Sequence, residues 1–489
     1  MTRLSLSLGR APLARAEHFE AQSTSRYLWL ALVLVITMAS VVGASLASVA
    51  EAAGGANPRK GTDTTAPQTT ITAGPATPTT STSASISFGS TEPGSFECML
   101  DAGNFEACTS PKEYTALAFG DHTYQVRARD TAGNLDATPA STTWQIIDAN
   151  VCAIDPPDGQ VAIAEAIRAC PDGSTVRFPP ARVYTQTASI LVADRSDLII
   201  DGNGSMFRSI VPTSYDSPDP KPQWRVKSGH NVTIQSMTIV GNFYPTSRAK
   251  YAGNQLDHGV EIKGGDDITV RDNTFRNVFG DAVTTVRSES MRGNAAGGVA
   301  SENVRVLRNT ITTMARHCVS FTELIGGSIE DNSLSDCHYG GIDLEINFAG
   351  QKMQDIKVLR NQLHGYTVAG IAVEGAVSST QVSALGDMAR IEVRGNTVGA
   401  GDTCWPPILF SEKDNDRGPI SDVIVADNTV STPSYGIGIF DVIGGSVTGN
   451  HITLTRSKTY CASTLTTVTP VWQKRSSDVV VSGNTSTSY

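Results

Sequence analysis

His258, Asp281 and His317 each stand just ahead of a short alternating run. Asp257-His258 leads into Val260-x-Ile262, Gly280-Asp281 into Val283-x-Thr285, Arg316-His317 into Val319-x-Phe321, and His338-Tyr339 into Ile342-x-Leu344. A carboxylate placed between imidazoles can orient one of them as general acid or base, so these three residues form a candidate catalytic set. Asp343 and Glu345 lie two apart on one such run. The rise of an extended chain sets their Cβ atoms about 7 Å apart, a separation compatible with a carboxylate pair for glycosidic hydrolysis. Arg316 offers a second chemistry, neutralising a uronate carboxylate while His317 or Tyr339 removes the C5 proton in a β-elimination. Glu345 and Glu374 hold matching places on consecutive runs and would repel unless they share a proton or a cation. A calcium ion held by carboxylate oxygens would answer that repulsion. Asp257, Tyr339 and Glu374, with Tyr244 and Tyr251 from the segment leading into Asp257, make the expected substrate-binding set, the aromatics stacking on sugar rings. Charges on exposed strands also serve solubility, so the signal is their concentration between residues 257 and 374, which the carboxy-terminal runs lack.

The elements that must position these side chains recur along the chain. Ile268-Thr269-Val270-Arg271-Asp272-Asn273-Thr274-Phe275 is an alternating run broken by an asparagine, and equivalent markers fall at Asn203, Met237, Asn309, Asn332, Asn361, Asn396, Asn428, Asn450 and Asn484, 22 to 36 residues apart. A period in that range signals a solenoid, and alternating strands without long helical patterns make it a β-solenoid. The asparagines read as architectural: they tolerate the left-handed backbone of a tight turn and can hydrogen-bond from coil to coil. Between markers the second run aligns as Val260, Val283, Val319, Ile342, Ile371, Ile408 and Ile437. The outward residues beside it then read Glu261, Thr284, Ser320, Asp343, Ala372, Leu409 and Gly438, and next Lys263, Val286, Thr322, Glu345, Glu374, Ser411 and Phe440. Coils about 4.8 Å apart turn this alignment into a surface map.

The chain has 489 residues, 44 glycines, 18% charged residues and a formal net charge of -10. That charge leaves no basic field for phosphates and argues against a nucleic-acid partner. Arg3, Arg10, Arg15 and Arg26 precede an apolar run from Tyr27 to Val42, with small residues up to Ala53. Residues 1–53 therefore read as a secretory signal peptide or an uncleaved membrane anchor, the only expected membrane contact, with the remainder exported. Eight cysteines agree with an exported disulfide set. Sequence order suggests Cys98 with Cys108, Cys152 with Cys170, Cys318 with Cys337, and Cys404 with Cys461. The Asp101-Ala102-Gly103-Asn104 turn supports the first pair; 105 connectivities remain open in principle.

Residues 54–66 form a linker, and 67–148 carry short strands with turns, a small β-sandwich pattern. Phe96-Glu97-Cys98, His122-Thr123-Tyr124-Gln125-Val126-Arg127-Ala128 and Asp130-Thr131-Ala132-Gly133-Asn134 resemble the bacterial Ig-like modules of exported proteins. From Val161 to Cys170 runs a short amphipathic helix followed by Pro171-Asp172-Gly173-Ser174-Thr175-Val176-Arg177. Together with the Asn-marked repeats it resembles the pectate-lyase-like superfamily. The resemblance implies that residues 149–489 form a right-handed parallel β-helix of about ten coils, preceded by the Ig-like sandwich and the apolar helix, an all-β chain overall. It does not fix an activity, because lyases, hydrolases, epimerases and non-enzymes share this fold. The Asp-Asp and Gly-His-Gly pattern of polygalacturonase-like hydrolases is not in place, nor is the Asp-Pro-His motif of alginate epimerases. Two functions are expected: binding, and cleavage by lyase or hydrolase chemistry, of an extracellular polysaccharide or cell-wall glycan, or a non-catalytic rod for adhesion.

Overall fold

The computed structural model describes residues 63–210, 221–243, 257–287, 298–347, 350–375, 387–401, 403–412, 420–433, 435–455 and 470–488. The apolar segment before residue 54, Tyr244, Tyr251 and Cys461 lie outside them. Among the described residues no helix is long and apolar enough to cross a membrane.

From Val151 onward the strands fall into three parallel sheets of 12, 11 and 10 strands, and the chain visits each sheet once per coil. This is a right-handed parallel β-helix, the hand that parallel crossovers take almost without exception. Sequence spacing predicts about ten coils. The longer sheets exceed that because Val151–Ala153 and Thr175–Arg177 in the first, and Val183–Gln186 in the second, already pair as rungs ahead of the first marker. Inward residues of every coil, Ile200, Ile234, Val270, Val306, Ile329 and Val358 among them, are fully buried and fill one continuous core. The helix Gln160–Ala169 lays Ile163 and Ile167 on the first coil. Without that cover the first rung would expose its apolar interior to water. The Cys152–Cys170 disulfide ties this helix to the first rung.

The asparagines form a ladder. Asn361 Oδ1 accepts from the Asn332 backbone N–H at 3.0 Å and from its Nδ2 at 2.9 Å, while Asn361 Nδ2 donates to the Ile329 carbonyl at 2.8 Å. The same bonds repeat from Asn273 to Asn484. Two sequence expectations need correction. From Asn273 onward the left-handed residue is the one before the asparagine, with φ of 56° at Asp272, 52° at Arg308, 56° at Asp331 and 55° at Arg360, whereas Asn203 is itself left-handed at 49°. The asparagine stays buried because its amide must bridge coils. The first marker is also displaced: Ser205, not Asn203, holds the ladder register, since Thr238 N–H donates to the Ser205 carbonyl as Thr274 N–H does to Met237.

Ahead of the β-helix are two small antiparallel sheets. One pairs Thr69–Ala73, Ala84–Ser90 and Lys112–Tyr114; the other pairs Glu106–Cys108, Gly94–Leu100, Gly120–Asp130 and Ala140–Ile146. Ile86, Tyr124, Val126, Trp144 and Ile146 form their core. Cys98 and Cys108 are bonded across the expected hairpin. Cys318 pairs with Cys337, and Cys404 is also disulfide-bonded.

Candidate functional site

The site lies on the outer face of the ten-stranded sheet. Val260, Val283, Val319, Ile342 and Ile371 are mutual partners in its register and point inward, each fully buried. Alternation therefore sends Glu261, Thr284, Ser320, Asp343 and Ala372 outward as one row, as the sequence alignment expects. Glu345 and Glu374 are direct partners in the next row.

Two residues upstream of each strand the chain makes the turn that carries His258, Asp281 and His317. Asp281 is fully buried, and His258 and His317 are nearly so. His258 Nδ1 lies 3.3 Å from Asp281 Oδ2, His317 Nδ1 lies 3.3 Å from Asp281 Oδ1, and Arg316 reaches Asp281 Oδ2 at 3.4 Å. These contacts are longer than an ideal charge-assisted hydrogen bond. The closer bonds run through the backbone: His317 N–H donates to Asp281 Oδ1 at 3.0 Å, and Asp281 N–H donates to His258 Nδ1 at 3.1 Å.

The other nitrogen of His317 faces Asp343: Nε2 to Oδ2 is 3.5 Å. Asp343 lies in the wall of an open cavity of about 290 Å³, lined also by Arg316, His317, Tyr339, Glu345 and Glu374. Tyr339 sets its ring edge-on to His317 at 5.0 Å. Gly340 completes the wall, and a Cβ there would press on the His317 ring at 3.0 Å.

Burial dominates the electrostatics. It pushes the Asp343 carboxyl up to about 7; the His317 charge works against that rise, and Glu345 and Glu374 reinforce it. Burial disfavours the His317 imidazolium, yet Asp343 and Asp281 outweigh it and raise its pKa. Asp281 has the opposite balance. Burial there is overcome by Arg316, His258 and His317, which hold it well below the ordinary carboxylate range. One fixed anion thus sits behind the histidine, and one carboxyl that exchanges a proton near neutrality stands in front.

The structure brings Arg316, His317, Tyr339, Asp343, Glu345 and Glu374 to one cavity. His258 and Asp281 stand behind it, in contact with one another but absent from its lining. Asp257 is also elsewhere, its Oδ1 accepting from the Lys221 backbone N–H at 2.9 Å. Sequence reasoning missed Gly340, Val368, Ala369 and Ala372 as lining residues. The Gly340-Gly341 pair beside a histidine-bearing turn was the available signal for the first of them.

Fold and site together define a parallel β-helix protein with a cavity of ionisable residues on one outer face. No protein-family model matches the chain, and no curated protein does. Solved structures resemble it in fold. A family 28 exopolygalacturonase from Yersinia enterocolitica is 13% identical at a TM-score of 0.36, covering 85% of this chain and 99% of that one. A DFA-IIIase variant from Arthrobacter chlorophenolicus is 14% identical at 0.48, covering 69% and 84%. PfbA, a surface adhesin of Streptococcus pneumoniae, is 13% identical at 0.39, covering 67% and 89%.

Proposed function

We propose that this chain is an exported glycoside hydrolase that cleaves an extracellular polysaccharide in the cavity at Asp343. The observation that carries the reading is a carboxyl at that cavity which burial raises to about 7, next to two further carboxylates. A group protonated near neutrality can donate to the leaving glycosidic oxygen, which is the general-acid role. Glu374 or Glu345 then activates water as general base. In-register strands place Glu345 about 7 Å from Asp343 along the strand, and Glu374 one strand spacing further across. That room suits an intervening water and inversion at the anomeric carbon. His317 holds the Asp343 carboxyl in place, and Tyr339 with the apolar wall of Val368, Ala369 and Ala372 offers surface to a sugar ring. Hydrolysis is favoured over β-elimination because Arg316, the cation an elimination needs for a uronate carboxylate, already leans on Asp281. The disulfides fit an oxidising, exported setting.

Incubation of the wild-type chain and Asp343→Asn with a panel of neutral and uronate-containing polysaccharides tests this. Wild type should release reducing ends, with the product anomer inverted by NMR. Asp343→Asn should lose turnover by about 10²- to 10⁴-fold while still binding the same glycan, and wild-type turnover should fall as pH rises above about 7. Unsaturated products would turn the reading to a lyase, and glycan binding with no product from either protein would turn it to adhesion.

A further inference from the structure

His122 belongs to the small antiparallel sheets ahead of the β-helix. It lies on Gly120–Asp130 in the inward row with Tyr124 and Val126, and it is buried with them. A buried ring has two nitrogens to satisfy. Both face acceptors: Nδ1 is 2.9 Å from Asp101 Oδ2, and Nε2 is 2.9 Å from the Ala118 carbonyl oxygen. A carbonyl oxygen can only accept, so Nε2 carries a proton. A carboxylate likewise only accepts, so Nδ1 carries another, and a histidine that donates from both nitrogens is an imidazolium.

The surroundings fit a cation. Trp144 on Ala140–Ile146 is the direct register partner of His122, and the two rings stack with centroids 5.4 Å apart, a range at which an indole face attracts positive charge. The charged groups facing the ring are Asp101, from the turn after Gly94–Leu100, and Asp121, from its own strand. The segment 115–119 and the strand Ala140–Ile146 carry no charged residue. The Ala118 carbonyl and then Asp101 raise the His122 pKa, burial opposes them, and Asp121 adds to the rise. Asp101 also anchors its turn, because Oδ1 accepts from the Thr123 N–H at 2.8 Å. Gly103 and Asn104 of the same turn line an open cavity of about 190 Å³ with Glu106, Lys112 and Tyr114.

We propose that His122 is a pH-sensitive latch that holds the Asp101–Asn104 turn, and with it one wall of that cavity, in place. Protonated, the ring ties Asp101 to the Ala118 segment. On losing one proton it keeps the Nε2 hydrogen for the Ala118 carbonyl, and the bare Nδ1 then meets the Asp101 carboxylate acceptor to acceptor. The turn loosens in consequence. Linkage sets the sign: a histidine whose pKa is higher in the latched state stabilises that state fully below its ordinary value of about 6.5, and the contribution is lost as pH rises through the latched value. The turn is held at lower pH and released at higher pH. No residue of this latch belongs to the cavity at Asp343, so it stands whatever that cavity does.

NMR of the full-length protein with isotope-labelled histidine rings tests the latch, the His122 signal being identified by its nuclear Overhauser contact with the Trp144 ring. The His122 midpoint should lie above about 6.5. Asp101→Asn, which keeps an oxygen for the Thr123 N–H, should lower that midpoint by about one unit. Hydrogen exchange, corrected for the intrinsic effect of pH, should show the Thr123 and Gly103 amides of wild type losing protection through the same midpoint. The expected loss is about tenfold for each unit by which the midpoint exceeds the ordinary value. A wild-type midpoint at or below about 6.5, or wild-type protection that stays constant through the midpoint, overturns the proposal without reference to any variant. A midpoint that Asp101→Asn leaves in place overturns it as well.

Discussion

Asp343 and Asp281 are the same residue type on one sheet margin, and their surroundings drive them apart. Asp281 has Arg316 and two imidazoles within 3.4 Å; Asp343 has one imidazole and two carboxylates for company. The consequence for stability has a definite sign. Asp343 has a folded pKa of about 7 against roughly 3.9 in an unfolded chain, so the native state holds the proton longer and stability falls as pH rises between those values. His317 is raised as well; its contribution is complete below the unfolded value and is lost as pH rises through the folded one, the same direction. Asp281 acts only below the ordinary carboxylate range, outside this window. Scanning calorimetry at pH 5, 6.5 and 8 should therefore show Asp343→Asn gaining on wild type as pH rises, and more stable than wild type at pH 8. A variant destabilised equally at all three values would show that the buried carboxylate carries no penalty.

At the scale of one coil, the turn between the first two strands of each repeat joins a left-handed residue to a buried asparagine. The periodicity of the asparagines is plain in the sequence from Asn273 to Asn484, where every coil carries one, while Ser205 and Met237 hold that place in the first two. The division of labour inside the turn is not, because Asp, Arg and Gly all serve at the left-handed position: Asp331, Arg360 and Gly395 take φ of 56°, 55° and 67°. Only the backbone angles separate the strained residue from the bonded one. Asn361→Ala should remove the acceptor for two Asn332 donors and the donor to the Ile329 carbonyl. At about 1–3 kcal/mol for each buried group left unpaired, a loss of several kcal/mol in urea unfolding is expected. A loss under about 1 kcal/mol would mean that water or a neighbouring coil replaces these bonds.

At the scale of the molecule, a solenoid is stabilised by contacts between neighbouring coils, so its ends decide where unfolding begins. The helix Gln160–Ala169 covers the first coil, and Cys152–Cys170 closes an 18-residue separation around it. Replacing both cysteines by serine should cost about 3 kcal/mol on the loop-closure estimate. Hydrogen exchange should show the coils near residues 175–210 losing protection first, while the strands Val319–Phe321 and Ile342–Ile346 keep theirs. Uniform loss of protection along the chain would argue that the β-helix unfolds as one unit.

The sequence by itself determined the coil, the inward residues and the rows of outward ones, because a strand alternates with a period of two and each repeat carries its own marker. His317, Asp343, Glu345 and Glu374 were legible as neighbours for that reason. Tertiary structure alone decided depth. It withdrew His258 and Asp281 from the cavity and raised Asp343 to about 7, since the dielectric and the company around a charge depend on how coils stack and cover one another. Alternation tells which way a side chain points; only the stacked coils set what it meets there.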